Sequence, residues 1–158
     1  MTNGRARSSG AGIFLGGSGG ATLTIKSCPK DIQFYESNDV GGFIYVENPS
    51  TQISSNNCNY KNLNAKTRGG LIYVKYDAII NIQNSQMMNV TAGLSGSILN
   101  SPLSNLYLTL SSISVSCAQS YSPFLAKDRI EFQTNSRTNL FRLEGGSVTS
   151  SNNVFQNC

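Results

Sequence analysis

Two near-identical hexapeptides, GGFIYV at 41–46 and GGLIYV at 69–74, constrain this chain more than any other feature, because the likeness runs on through the neighbouring residues. Asn57-Cys58-x-Tyr60-x-Asn62-x-x-Ala65 precedes the second Gly-Gly, and Asn84-Ser85-x-Met87-x-Asn89-x-x-Ala92 precedes the related Ser95-Gly96-Ser97-Ile98-Leu99. The Gly41 to Gly69 spacing is 28 residues (69 − 41), and taking Gly70 with Gly96 gives 26 (96 − 70). Self-similarity at a period of about 20–50 residues is the mark of a solenoid, in which each repeat buries its apolar side only against its neighbours. The repeat therefore speaks to shape and says little about a reaction.

Composition selects the kind of solenoid. Charged residues are only 13% of the 158. The apolar ones come in short runs rich in β-branched, Leu and aromatic types, such as Leu-Ile-Tyr-Val at 71–74 and Ala-Ile-Ile-Asn-Ile at 78–82. Runs of this kind between polar turns read as strands, and no stretch sustains helical spacing. The expected fold is all-β: a right-handed parallel β-helix with about three strands per coil, stacked at roughly 4.8 Å. At about 26–30 residues per coil, the chain makes about five or six coils.

Equivalent positions define three interior lines. Ile44, Ile72, Ile98 and Phe124 follow each Gly-Gly or its substitute, accompanied by Val46 and Val74. Leu23 and Ile25, Ile80 and Ile82, Leu108 and Leu110, and more loosely Val148, form a second line. Tyr60, Met87, Val115 and Phe155 form a third. Burial of these lines between coils is worth roughly 25 cal/mol per Å² of apolar surface.

A Gly-Gly-x-Ile strand followed by an Asn-rich turn with an aromatic, as in Asn152-Asn153-Val154-Phe155-Gln156-Asn157, resembles the repeats of polymorphic outer-membrane-type surface proteins, within the wider pectin-lyase-like class of parallel β-helices. The resemblance spans about residues 19–158, with the Gly-Gly motif degraded to Ser95-Gly96 and then to Ser122-Pro123. It implies a stiff, surface-exposed rod within a longer chain and names no ligand. On this reading residues 1–18 are a Gly/Ser/Arg-rich N-terminal segment with a partial first coil, and 19–158 are the β-helix proper. The break in mid-repeat at Cys158 is expected to be covered by the remainder of the parent chain or by neighbouring subunits. The segment carries neither a signal-peptide pattern nor a transmembrane run, so no membrane insertion is expected of it. The expected location, extracellular or at the cell surface, rests on the resemblance.

The four cysteines and the absence of histidine limit metal and redox chemistry. Cys28 and Cys58 hold matching places in successive coils, where stacked Cα atoms fall within disulfide range. A bridge would suit an oxidising compartment, and the alternative is a small buried thiol in the turn. Cys117 and Cys158 stand elsewhere and are read as unpaired. With no Cys-x-x-Cys and no His, a zinc site is not expected, nor is any cofactor.

Asn57 and Asn84 align, with Ser27, Ser112 and Asn152 alongside, and so do Asn62, Asn89 and Asn157. Such polar ladders bond turn backbone and run from coil to coil. Asn89-Val90-Thr91 is also an N-glycosylation acceptor, a role that one ladder side chain cannot combine with the other.

The eight carboxylates are Asp31, Glu36, Asp39, Glu47, Asp77, Asp128, Glu131 and Glu144. Glycoside hydrolysis requires a pair about 5–9.5 Å apart, and calcium-dependent lyases require a cluster. Glu47 instead stacks on Lys75 as an exposed ion pair of small energetic consequence. No catalytic residues are assigned, and the chain is expected not to be an enzyme. The repeat lengthens at 127–138, a charged insertion in which Lys127, Asp128, Arg129, Ile130, Glu131 and Phe132 are candidate partner contacts; a tolerated surface loop is the alternative. Tyr45 and Tyr73 stack outward, either as a sugar-binding face or as cover for the sheet. The net charge of +4 is scattered and forms no nucleic-acid stripe.

The expected function is a non-catalytic structural or interaction segment of a larger surface protein with a protein or glycan partner. The alternatives are a carbohydrate-binding or carbohydrate-processing β-helix, and a scaffold piece docked in a large intracellular assembly.

Overall fold

A computed structural model describes residues 2–28, 30–94, 96–116, 125–126 and 140–156. In chain order the strands are β1 (Thr2–Ala6), β2 (Ile13–Leu15), β3 (Thr22–Lys26), β4 (Ile32–Ser37), β5 (Ile44–Val46), β6 (Thr51–Asn56), β7 (Asn59–Ala65), β8 (Ile72–Val74), β9 (Ala78–Gln83), β10 (Gln86–Ala92), β11 (Leu99–Ser111), β12 (Ser114–Ser116), β13 (Leu125–Ala126), β14 (Phe141–Ser151) and β15 (Val154–Gln156). Among the described residues every strand pairing is parallel, and no helix occurs. The chain is a β-solenoid of about 4 turns.

One face is the sheet β1-β4-β7-β10-β12-β15. The other two faces, β2-β5-β8 and β3-β6-β9, merge into one sheet because β11 runs through both, pairing with β8 at its start and β9 at its end. The first coil is complete, with all three of its strands paired to the second. Residues 2–15 thus belong to the solenoid itself, held by backbone hydrogen bonds that their Gly-rich composition does not advertise.

The Gly-Gly motif has a distinct reason at each position. Gly41, Gly69 and Gly96 have φ of 65°, 67° and 61°, the left-handed region that glycine enters without a Cβ clash. A Cβ on Gly42 would lie 2.2 Å from the carbonyl oxygen of Gly70, so the second glycine permits close approach of the next coil. Gly96 therefore corresponds to Gly69, not to Gly70, and the interval is 27 residues (96 − 69). This one-residue difference corrects the first interior line. Ile44 and Ile72 pair in register, but the residue on Ile72 is Leu99, and Phe141 follows it. Ile98 belongs to the neighbouring line, its N–H donating to Leu140 and its carbonyl accepting from Leu71. Phe124 lies outside the described residues.

The other two lines have the expected register. Leu23, Ile53, Ile80, Leu108 and Val148 stack in order, as do Ile32, Tyr60, Met87, Val115 and Phe155. Their central members are almost wholly buried in one continuous core. Residues in the left-handed region turn each coil into the next at Ser27, Asn57, Asn84, Ser112 and Asn152, where Asn and Ser suit the turn.

The count of about 4 turns falls below the expected five or six, and one stretch consumes extra chain. Val115 to Phe141 spans 26 residues (141 − 115), whereas the equivalent Met87 to Leu99 spans 12 (99 − 87). Within this stretch β13 pairs with Phe141 and Arg142, on residues that also pair with β11. The chain thus lays down an edge strand beyond β14 before returning to form β14 itself.

Candidate functional site

Polar side chains on the outer surface are bonded mainly to their counterparts one coil away. Asp31 accepts from Lys61 Nζ at 2.7 Å and from Asn59 Nδ2 at 3.2 Å. Glu36 pairs with Arg5 at 2.9 Å, and Asp39 accepts from Thr67 Oγ1 at 2.8 Å. Glu47 pairs with Lys75, and Asp77 accepts from the Asn105 N–H at 2.9 Å. These are the five carboxylates whose side chains are described. All of these bonds span 28 to 31 residues, so the acids act as coil-to-coil fasteners. The hydrogen bond from Lys61, then that from Asn59, holds the Asp31 carboxyl below its ordinary range. Its bond to Glu47 likewise raises the Lys75 ammonium. A general acid needs the opposite shift, toward a carboxyl that keeps its proton near neutral pH. Among the described residues no group of three metal-ligating side chains occurs.

The asparagine ladders take definite partners. Asn89 Nδ2 donates to Asn62 Oδ1 at 3.1 Å, and Asn84 Nδ2 donates to Asn56 Oδ1 at 3.0 Å. The acceptor is Asn56, not the Asn57 that aligns with Asn84. The Asn89 nitrogen that a glycan would occupy is thus engaged in the ladder, and Thr91 Oγ1 donates to Asn64 Oδ1 at 2.9 Å. Cys28 and Cys58 are joined by a disulfide, with Cα atoms 4.9 Å apart.

Tyr45 and Tyr73 stack with ring centroids 5.6 Å apart and planes 6° from parallel, and Phe14 continues the column 5.2 Å from Tyr45. Register forces this, since Phe14, Tyr45 and Tyr73 pair directly across β2, β5 and β8. Both faces of Tyr45 are therefore turned to other rings, and Tyr73 is only 9% exposed. The two tyrosines offer edges and hydroxyls, while the open ring of the column is Phe14, 56% exposed. Burial, then the nearby Glu47 carboxylate, raises the Tyr45 phenol. Beside these tyrosines lies a groove of about 430 Å³ whose walls include Asp39, Thr67, Arg68 and Lys75. Arg68 Nε is buried there without a hydrogen-bond partner.

A second groove, of about 610 Å³, opens on the β1-β4-β7 face around Phe34, with Arg5, Glu36, Asn62 and Asn64. The sequence reading did not single out Phe34. The available signal was positional: Phe34 stands one coil before Asn62, which itself precedes Asn89, in a line otherwise made of asparagine.

The candidate contacts Lys127, Asp128, Arg129, Ile130, Glu131 and Phe132 lie outside the described residues, as do Cys117, Cys158 and Asn157. Among the described residues no helix is long and apolar enough to cross a membrane. Compared with known proteins, the chain matches no family model, no curated protein and no solved structure.

Proposed function

We propose that this chain is a non-catalytic interaction segment of a surface β-helix protein, akin to the polymorphic outer-membrane-type repeats that its Gly-Gly and Asn-rich motifs resemble. The observation that carries this reading is the use of the acids. All five described carboxylate side chains bond to the adjacent coil, and Asp31 is further held ionised. A carboxylate that fastens coils is occupied with the work of a rod. What such a surface offers a partner is its grooves and its exposed rings.

The test uses the exposed amines of Lys26, Lys30 and Lys66. Intact source cells are treated with a membrane-impermeant amine reagent, and the labelled peptides are identified. Labelling before lysis supports the surface reading. Labelling only after lysis favours the intracellular scaffold and overturns it. In parallel, incubation with neutral and uronic-acid polysaccharides should release neither reducing ends nor unsaturated sugars; release abolished by Asp39→Asn would make the chain an enzyme.

A further inference from the structure

The strands β4, β7 and β10 share a kink. Phe34, Asn62 and Asn89 have φ of 61°, 52° and 53°, and each kink sets two successive side chains outward before the in–out alternation resumes. Asparagine suits this place twice over: it tolerates the left-handed region, and its amide joins the ladder, as Asn89 does to Asn62. Phenylalanine at 34 does neither. A bulky aromatic in the left-handed region is strained, and its ring is 51% exposed, so burial does not offset the strain. A residue that breaks a local rule without a gain to the fold marks a functional position.

The surroundings say for what. The groove beside Phe34 has about 610 Å³, within the ~300–1,000 Å³ range of small-molecule sites. Asn62 and Asn64 give their carbonyl oxygens to Asn89 and Thr91, which leaves the two amide N–H₂ groups as donors. Arg5 and Glu36 form an ion pair on the same wall, supplying further donors and an acceptor with no net charge. An apolar ring ringed by planar polar groups fits a sugar, whose C–H face packs on the ring while its hydroxyls meet the amides, guanidinium and carboxylate. Charge balance selects an uncharged sugar: a polyanion would meet Glu36, and an apolar peptide would strip water from the Arg5–Glu36 pair without replacing it.

We propose that Phe34, with Asn62, Asn64, Arg5 and Glu36, forms a binding site for neutral oligosaccharides on the β1-β4-β7 face. The proposal rests on the interaction reading for its biological use but stands or falls separately, since sugar binding is measured on the purified chain and surface location on intact cells.

The experiment presents the 158-residue chain to immobilised neutral hexasaccharides (gluco-, xylo-, manno-, galacto- and N-acetylglucosamine types) and to oligogalacturonate, with wild type, Phe34→Asn, Phe34→Tyr and Tyr45→Ala compared. At least one neutral sugar should bind wild type, Phe34→Tyr and Tyr45→Ala alike. Phe34→Asn should bind it about tenfold or more weakly, the loss expected for a ring-stacking contact, while melting at the same temperature as wild type or higher. Absence of binding to every neutral sugar overturns the proposal. So does unchanged binding by Phe34→Asn, or a lower melting temperature in that variant, which would give the ring a role in the fold. Binding of the oligogalacturonate alone overturns the assignment of charge.

Discussion

Along β5, β8, β11 and β14 the same backbone carries two columns one residue apart. On the inner side stand Ile44, Ile72, Leu99 and Phe141; on the opposite side stand Tyr45, Tyr73, Asn100 and Arg142. Spacing and register are identical, yet the inner column stays apolar throughout while the other passes from phenol to amide to guanidinium. The core demands apolar shape at every rung, because each inner residue is sealed between two others. The other side demands only a neighbour with which to stack or bond. Chemical identity is therefore free to vary there, even where the position is closed to solvent, as at Tyr73 and Asn100.

The largest expected effect breaks the inner column. Ile72→Asp places an unpaired charge in a sealed line and should cost more than about 3 kcal/mol in urea unfolding, enough to threaten the fold. A loss no greater than that of an outer-column variant would erase the distinction between the columns. Tyr73→Ala, on the other side of the same strand, removes one stacked ring and should cost about 2 kcal/mol by the same measurement.

A finer test lies in the interior of the first sheet, where Tyr60 is almost wholly buried and its hydroxyl bonds Ser55 at 2.6 Å. Burial, partly offset by that bond, pushes the phenol from 10.0 up to about 12. Because the folded state holds its proton more tightly than the unfolded chain, the associated stability is complete below pH 10 and is lost as pH rises toward about 12. Tyr60→Phe should cost about 1 kcal/mol at neutral pH, since Ser55 loses its partner, and should flatten the alkaline limb of the stability curve. An unchanged limb would mean that another group titrates there. The smallest effect is expected from Glu47→Gln: the pair with Lys75 is surface-exposed, and its loss should move the melting temperature least of these variants, with the difference shrinking further in high salt.

Much of this architecture was legible because a solenoid repeats its reasons. The line Tyr60, Met87, Val115 and Phe155 could be read directly, since each follows an Asn- or Ser-marked turn at a constant offset. The Glu47–Lys75 contact followed from counting six residues past each Gly-Gly. Ile98 was misplaced because the degraded Ser-Gly pair at 95–96 aligns equally well with either glycine of the motif. The left-handed φ of Gly96 and the pairing of Leu99 with Ile72 identify it with Gly69. Phe34 escaped notice because an exposed aromatic in a strand is unremarkable until its backbone angle and its asparagine neighbours in the stack are known.

By itself the sequence determined the period, the parallel all-β stacking and the alternation of sealed and outward positions. Those properties arise from which side chains recur, and recurrence is written in the chain. The tertiary structure alone decided three things. It set the rung to which Gly96 belongs, it placed β13 beyond β14, and it turned the faces of Tyr45 toward Phe14 and Tyr73 while leaving Phe34 open. The reason is physical: inter-coil register is chosen by backbone hydrogen bonds formed together over many rungs, and a side chain's exposure depends on residues about 28 positions away, whose identity carries no mark of the contact they make.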